Sequence, residues 1–336
     1  MTVYALEGTE KILADFSLTI EKCRLEEGGI YAVTGPNGCG KSTFLNLLSL
    51  IDRPSRGDIV FNDEKVRYSD SNRLLELKRR IGYLMQNPYL FNMSVYSNIS
   101  YGLRLRGLSK AEIREKVERM MARLSLTHPA GTNAHALSGG EVQKVALART
   151  LVLDTDVFLM DEPTESVDQR NVYIVEDLIR ELVRERKATV IFSTHSRDQA
   201  YRLSNNIITI IDGKISDIAY ENVFSGVLVE ETDGLNTVKL AEKVQSKVAS
   251  RKKGHVTVAI DPNDIILSNE ELTSSALNRF KGAITKIEDV NGSLRVFVNA
   301  GVTLCALITR KSFLNMGFNI GKSVWVTFKA NAVKVI

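Results

Sequence analysis

Along the first 220 residues, short apolar runs alternate with longer stretches whose apolar positions recur at helical spacing. Ile30-Tyr31-Ala32-Val33-Thr34, Val157-Phe158-Leu159-Met160 and Val190-Ile191-Phe192-Ser193 are continuous runs, the pattern of strands buried in a parallel sheet. Val175, Leu178, Ile179, Leu182 and Val183 keep helical spacing among charged residues. Ile113, Val117, Met120 and Leu124 do the same behind Ser109-Lys110-Ala111-Glu112, a capping box. The alternation predicts a mostly parallel sheet wrapped by helices. Past about residue 226 the pattern changes to Val-, Ile- and Thr-rich runs at 256–260, 283–287, 294–298, 303–309 and 324–328. Asp261-Pro262 and Asn291-Gly292 turns punctuate them, which predicts a small all-β barrel. Residues 1–226 and 227–336 are therefore expected to form separate domains, with no heptad array, low-complexity tract or short solenoid repeat in either.

Composition adds exclusions. Of 336 residues, 44% are hydrophobic and 25% charged, which excludes a disordered chain or a fibre. No apolar run approaches the roughly 18–20 residues that span a bilayer. Met1-Thr2-Val3-Tyr4-Ala5-Leu6-Glu7 lacks the charged start and apolar core of a signal peptide. Cys23, Cys39 and Cys305 are too few and too scattered for a disulfide framework or a zinc site, so a reducing cytosol is expected. The net charge of +4 is uneven: residues 1–226 carry 29 Lys+Arg against 30 Asp+Glu, and residues 227–336 carry 15 against 10. Arg251-Lys252-Lys253, in a polar stretch, supplies three of the latter cations.

The chemistry is concentrated in three segments. Gly35-Pro36-Asn37-Gly38-Cys39-Gly40-Lys41-Ser42-Thr43 fits G-x-x-x-x-G-K-[ST] between a predicted strand and a predicted helix. Its glycines let consecutive backbone N–H groups turn in around phosphate oxygens, and the following helix points its positive end at the same charge. Lys41 is positioned to neutralise the β- and γ-phosphates, and the Ser42 hydroxyl to ligate Mg²⁺. Cys39 reads mainly as a small residue that fits. Exposure beside helix N–H groups would nonetheless lower its thiol pKa and leave it reactive in the absence of ATP. The second segment, Val157 to Glu162, is an apolar strand ending in two carboxylates. Asp161 suits a water-mediated hold on Mg²⁺, and Glu162 suits proton abstraction from an attacking water. The third, Leu137-Ser138-Gly139-Gly140-Glu141, satisfies the capping-box pattern, yet two glycines weaken a first helical turn unless something approaches the backbone closely. A helix N-terminus with free N–H groups and a Ser hydroxyl is a second anion site.

These segments, with His195 following the strand at 190–193, resemble an ABC-transporter ATPase over roughly residues 3–220. The resemblance implies an α/β P-loop NTPase fold, with ATP and Mg²⁺ as cofactors. Gln86 in Leu84-Met85-Gln86-Asn87-Pro88 matches the family's Q-loop, and His195 the switch histidine. Asp168 matches the D-loop, although Glu165 and Val167 depart from its commonest wording. Tyr4 is the expected aromatic that stacks on adenine. In this family two cassettes pair head to tail, so Ser138 and Gly140 of one chain are expected to close on ATP held by Lys41 of a second copy. The implied chemistry is charge stabilisation of the γ-phosphate by Lys41, Mg²⁺ and His195, with Gln86 near metal and water and Glu162 as base.

The last third is similar to the accessory β-barrels of TOBE or MOP type (OB-like) that follow the ATPase in many importers. Val258–Ser268 carries that likeness, although Asp261 stands where those domains often have Arg. Ser274–Gly282 looks like the oxyanion-binding segment of small molybdate- and tungstate-binding barrels, with Leu277 where Arg is usual. Thr327–Val333 resembles their last strand. Ser275, Asn278 and Lys329 are the residues expected at any oxyanion site. The implied function is the ATPase of a tungstate or molybdate importer, cytoplasmic and peripheral on the inner face of the cell membrane. Its expected partners are integral-membrane permease subunits, docked at Asn87–Val95, and indirectly an external anion-binding protein. The alternatives are an importer ATPase for sulfate, iron, a polyamine or a sugar, an inert anion sensor, or a soluble ABC ATPase acting on DNA or ribosomes. The last expects a long insertion or tandem cassettes; only 51 residues separate Gln86 from Ser138 and one cassette is present, so no nucleic-acid partner is expected.

Overall fold

The structure, a computed structural model, describes residues 1–336 except 127–130, 166, 168, 205, 217–221, 231–235, 242–243, 251–253, 291 and 336. The chain divides into two compact units, Met1–Ile215 and Ser216–Ile336. The division expected near residue 226 falls inside a strand, Val223–Glu230, which belongs whole to the second unit.

The first unit is built on a ten-stranded sheet. Its strands are β1 (Thr2–Leu13), β2 (Phe16–Glu26), β3 (Ile30–Thr34), β4 (Arg56–Phe61), β5 (Glu64–Lys65), β6 (Ile81–Leu84), β7 (Val157–Asp161), β8 (Thr189–Ser193), β9 (Asn206–Ile211) and β10 (Lys214–Ser216). Its helices are α1 (Lys41–Leu48), α2 (Ser71–Arg79), α3 (Val95–Leu105), α4 (Lys110–Arg123), α5 (Gly139–Leu151), α6 (Gln169–Arg186) and α7 (Arg197–Leu203). The strand order is β5-β4-β1-β2-β10-β9-β3-β8-β7-β6. From β9 to β6 the strands run parallel, as the apolar runs predict. Every residue of β7 and β8 is buried, because helices cover both faces. Alternation sends Phe158 and Met160 into one core with Val145, Leu147 and Ile179, and Val157 and Leu159 into the other with Phe44, Leu47 and Val33. The remaining wing, β1, β2, β4 and β5, is antiparallel. Its strands mix buried and exposed positions, as expected of a sheet covered on one side only. Two residues, Ala14 and Asp15, turn β1 into β2 and set Leu13 opposite Phe16.

Among its described residues the second unit is β-rich: β11 (Val223–Glu230), β12 (Asn236–Ala241), β13 (Val244–Val248), β14 (Gly254–Ile260), β15 (Ile266–Ser268), β16 (Asn278–Val290), β17 (Ser293–Asn299), β18 (Thr303–Thr309), β19 (Ser323–Phe328) and β20 (Val333–Val335), with a short α-helix, α8 (Arg310–Asn315). They form two five-stranded antiparallel sheets, β13-β12-β11-β14-β20 and β15-β19-β16-β17-β18, around one core that includes Val238, Val258, Ile284, Val296, Val326 and Phe328. The two sheets are copies of one motif. Asn222-Val223-Phe224-Ser225-Gly226 enters β11, and Asn278-Arg279-Phe280-Lys281-Gly282 opens β16. Phe224 pairs with Val258 on β14, and Phe280 with Val326 on β19. A Cβ on Gly226 would lie 2.6 Å from the Lys239 carbonyl oxygen, and one on Gly282 2.5 Å from that of Asn299, so neighbouring backbone excludes a side chain in both copies. The copies exchange their final strands: β15, which follows β14, pairs with β19, whereas β20, which follows β19, pairs with β14. They also trade asparagines. Asn278 donates to the Lys247 carbonyl and accepts from its N–H at 3.0 and 2.6 Å, and Asn222 makes the same double bond to Cys305 at 2.8 and 2.7 Å.

Candidate active site

The loop after β3 turns back under its own helix. Gly35 has φ 149°, and a Cβ there would lie 2.1 Å from the Ile210 carbonyl oxygen, so only glycine lets the loop pass β9. Lys41, the first residue of α1, is 8% exposed, and its Nζ donates to the Gly35 and Pro36 carbonyls at 3.0 and 3.1 Å. The ammonium is thus held over the loop's mouth. Cys39 is buried rather than exposed, and burial pushes its thiol pKa up against the opposing pull of Lys41. The activated thiol that the sequence allowed is absent because the side chain turns in beneath Gly35.

Facing the loop are the carboxyl ends of β7 and β8. Register places Asp161 beside Ser193, whose hydroxyl donates to Asp161 Oδ1 at 2.5 Å and accepts from the Glu162 N–H at 2.9 Å. Ser193 therefore fixes both acids, a role no motif announces. Glu162 sits at φ 47°, only 6% exposed, with Oε2 3.0 Å from Nδ1 of His195. Burial pushes its carboxyl pKa up, partly offset by His195 and Lys41. Behind it, the buried Gln199 amide accepts from Thr194 Oγ1 and donates to Thr164 Oγ1, both at 2.8 Å, tying the turn after β7 to the turn after β8. Gln86, two residues beyond β6, donates through Nε2 to Glu165 Oε2 at 3.0 Å.

Loop and acids line one cleft of about 560 Å³, with Asn37, Gly38, Gly40, Lys41, Ser42 and Thr43 on one wall and Gln86, Asp161, Glu162, Glu165 and His195 on the other. Its apolar end is Leu13 and Phe16, from the tip of the β1–β2 hairpin. Tyr4 is absent from it. The Tyr4 ring is fully buried, stacks on Phe61 at 4.9 Å and donates its hydroxyl to the Leu48 carbonyl at 2.8 Å. The structure thus removes Tyr4 from the cleft, and the aromatic that lines it is Phe16. The long spacing from Tyr4 to Gly35 was the signal, because it accommodates a complete second strand.

Ser138 caps α5, and its N–H and hydroxyl both donate to Glu141 Oε2, at 2.8 and 2.6 Å. Ser138, Gly139 and Gly140 do not line the cleft of their own chain. Asp168 lies outside the described residues. In the second unit the expected anion residues separate. Asn278 is 2% exposed and its amide is used on Ser246 and Lys247, so it holds strands and is removed from the anion set, whereas Ser275 and Lys329 are exposed.

A phosphate-cradling loop at the carboxyl edge of a parallel sheet, faced by paired acids and a histidine, defines a P-loop nucleoside triphosphatase. The chain belongs to the ABC transporter family of ATPases. The family model described as ABC transporter matches residues 18–165, and that described as TOBE domain matches 274–335, the second copy of the β motif. The molybdate/tungstate import ATP-binding protein WtpC of Pyrococcus horikoshii is 32% identical across 98% of this chain and 99% of that protein. The tungstate uptake system ATP-binding protein TupC of Peptoclostridium acidaminophilum is 41% identical across 60% of this chain and 90% of its own length. Among solved structures, the dimeric ATP-binding cassette MJ0796 bound to ADP and Pi matches with a TM-score of 0.58 and 27% identity, covering 63% of this chain and 96% of that one.

Proposed function

We propose that this chain is the ATP-hydrolysing subunit of an importer for tungstate or molybdate, working at the inner face of the membrane with separate permease subunits and an external anion-binding protein. The observation that carries the cargo is the end-to-end likeness to a molybdate/tungstate import ATPase, which spans both units rather than the ATPase unit alone. Among the described residues no helix is long and apolar enough to cross a membrane. Permease docking at Asn87–Val95 is supported by Tyr89 and Phe91, which stay 71% and 37% exposed beside Met85.

Catalysis in this reading is positioning and charge. Lys41 and the loop amides hold the triphosphate, and Phe16 and Leu13 offer the apolar surface for the base. Ser42, Asp161 and the Gln86 carbonyl are hard oxygen donors on one cleft, a set that fits Mg²⁺, which supplies charge neutralisation on the phosphates when bound. Glu162, its pKa raised, takes a proton from water, and His195 is held by Glu162 beside the γ-phosphate position. Completion of the site by a second copy is supported by the dimeric neighbour and by α5. The start of that helix is exposed, and a Cβ on Gly139 would meet nothing within 4 Å, so no contact within the chain calls for glycine there. Uptake of isotopic tungstate, molybdate and sulfate by cells whose only copy carries Lys41→Ala tests the function. Loss of tungstate and molybdate uptake with sulfate uptake intact is expected; undiminished uptake of both metal oxyanions refutes it.

A further inference from the structure

Glu165 stands where the sequence departs from the commonest family wording, and the structure gives that departure a contact. We propose that Glu165 is a positioning residue that sets which end of the Gln86 amide serves the cleft. A carboxylate can only accept, so the end of Gln86 that approaches Glu165 Oε2 at 3.0 Å must be the NH₂ end. The carbonyl Oε1 is then the end directed away from Glu165. Both residues line the cleft that also holds Ser42 and Asp161. A hydroxyl or aliphatic side chain at position 165 would leave the amide free to present either end; the carboxylate selects the acceptor, the end a cation can use.

Glu165 is itself anchored. Its N–H donates to the Glu162 carbonyl at 3.2 Å, and the preceding Thr164 is held by the buried Gln199. The carboxylate therefore rides on the turn that carries Glu162. The segment bearing Gln86 runs on into the exposed Tyr89 and Phe91, so the same bond ties the docking strip to the acid wall. The inference rests on the proposed role of Gln86 toward Mg²⁺ and names the residue that prepares it.

The test is Mn²⁺ binding to the full-length protein with a non-hydrolysable ATP analogue, followed by the paramagnetic resonance of free Mn²⁺. Glu165→Ala should weaken Mn²⁺ binding about tenfold, the effect of removing a partner that orients a metal ligand. Analogue affinity without metal and the melting temperature should not move. Glu165→Gln, whose amide can donate as well as accept and so no longer selects one end of Gln86, should also weaken Mn²⁺ binding, by no more than Glu165→Ala does. The Gln86→Ala/Glu165→Ala double variant should match Gln86→Ala alone, because Glu165 acts only through Gln86. Unchanged Mn²⁺ affinity in Glu165→Ala, or effects that multiply in the double variant, overturns the inference while leaving the role of Gln86 standing. Unchanged affinity in Gln86→Ala overturns both.

Discussion

At the scale of single residues, the charged actors were readable and their supports were not. Lys41, Asp161, Glu162 and His195 belong to patterns whose spacing implies a phosphate site, and the structure gathers them on one cleft. Ser193 and Gln199 belong to no such pattern; their importance lies in register and burial, which one sequence does not display. Tyr4 was misplaced for the same reason, since strand register decides whether a side chain meets the cleft or the core. Cys39 is buried, in keeping with its main reading as a small residue that fits. Burial also sets a prediction. Ionised Glu162 is desolvated, and its folded pKa lies above its unfolded one. Stability from this group is present below the unfolded pKa and lost as pH rises through the folded pKa. Glu162→Gln should therefore melt higher than the wild type at neutral pH, with the gap closing on acidification. ATP turnover should fall by roughly 10²–10⁴-fold if Glu162 is the base. Calorimetric scans across pH together with a phosphate-release assay check both; a lower melting temperature at neutral pH contradicts the burial account.

At the scale of elements, the parallel half of the large sheet followed from its apolar runs, because strands covered on both faces must be apolar throughout. The antiparallel wing was less legible: β1 and β2 mix buried and exposed positions, and bulges break their register. In the second unit β14 and β16 to β19 were visible as Val-, Ile- and Thr-rich runs while the duplication was hidden, since its copies share little beyond Asn-x-Phe-x-Gly. Read as a pair, Asn222–Gly226 and Asn278–Gly282 would have exposed it. The exchanged asparagines carry a measurable share of stability. Asn278→Ala removes two hydrogen bonds to Lys247 and leaves a backbone N–H and C=O short of partners, a loss of about 2–3 kcal/mol. Denaturant unfolding should register it, and Asn222→Ala should cost a similar amount through Cys305. A loss below about 0.5 kcal/mol in both variants would mean that water replaces the amide without penalty.

At the scale of the whole molecule, two domains were implied by the change of pattern past about residue 226, and the compact units divide upstream of it, between Ile215 and Ser216. A fragment of residues 227–336 lacks Asn222 and the first half of β11, whereas 216–336 keeps both. The longer fragment should unfold cooperatively by circular dichroism and the shorter one should not; equal cooperativity would show that the start of β11 is dispensable. The exchange of β15 and β20 has a further consequence, one of timing. Strand β14 ends at residue 260 but waits for residues 333–335 to cover its edge, while β19 is met at once by β15, made long before it. During synthesis the large sheet can assemble as soon as β10 emerges, while the smaller unit stays open at one edge until its closing strand leaves the ribosome. A nascent chain stalled before residue 333 would thus hold a finished engine joined to an unsealed sandwich, a form that a protease can tell from the complete one.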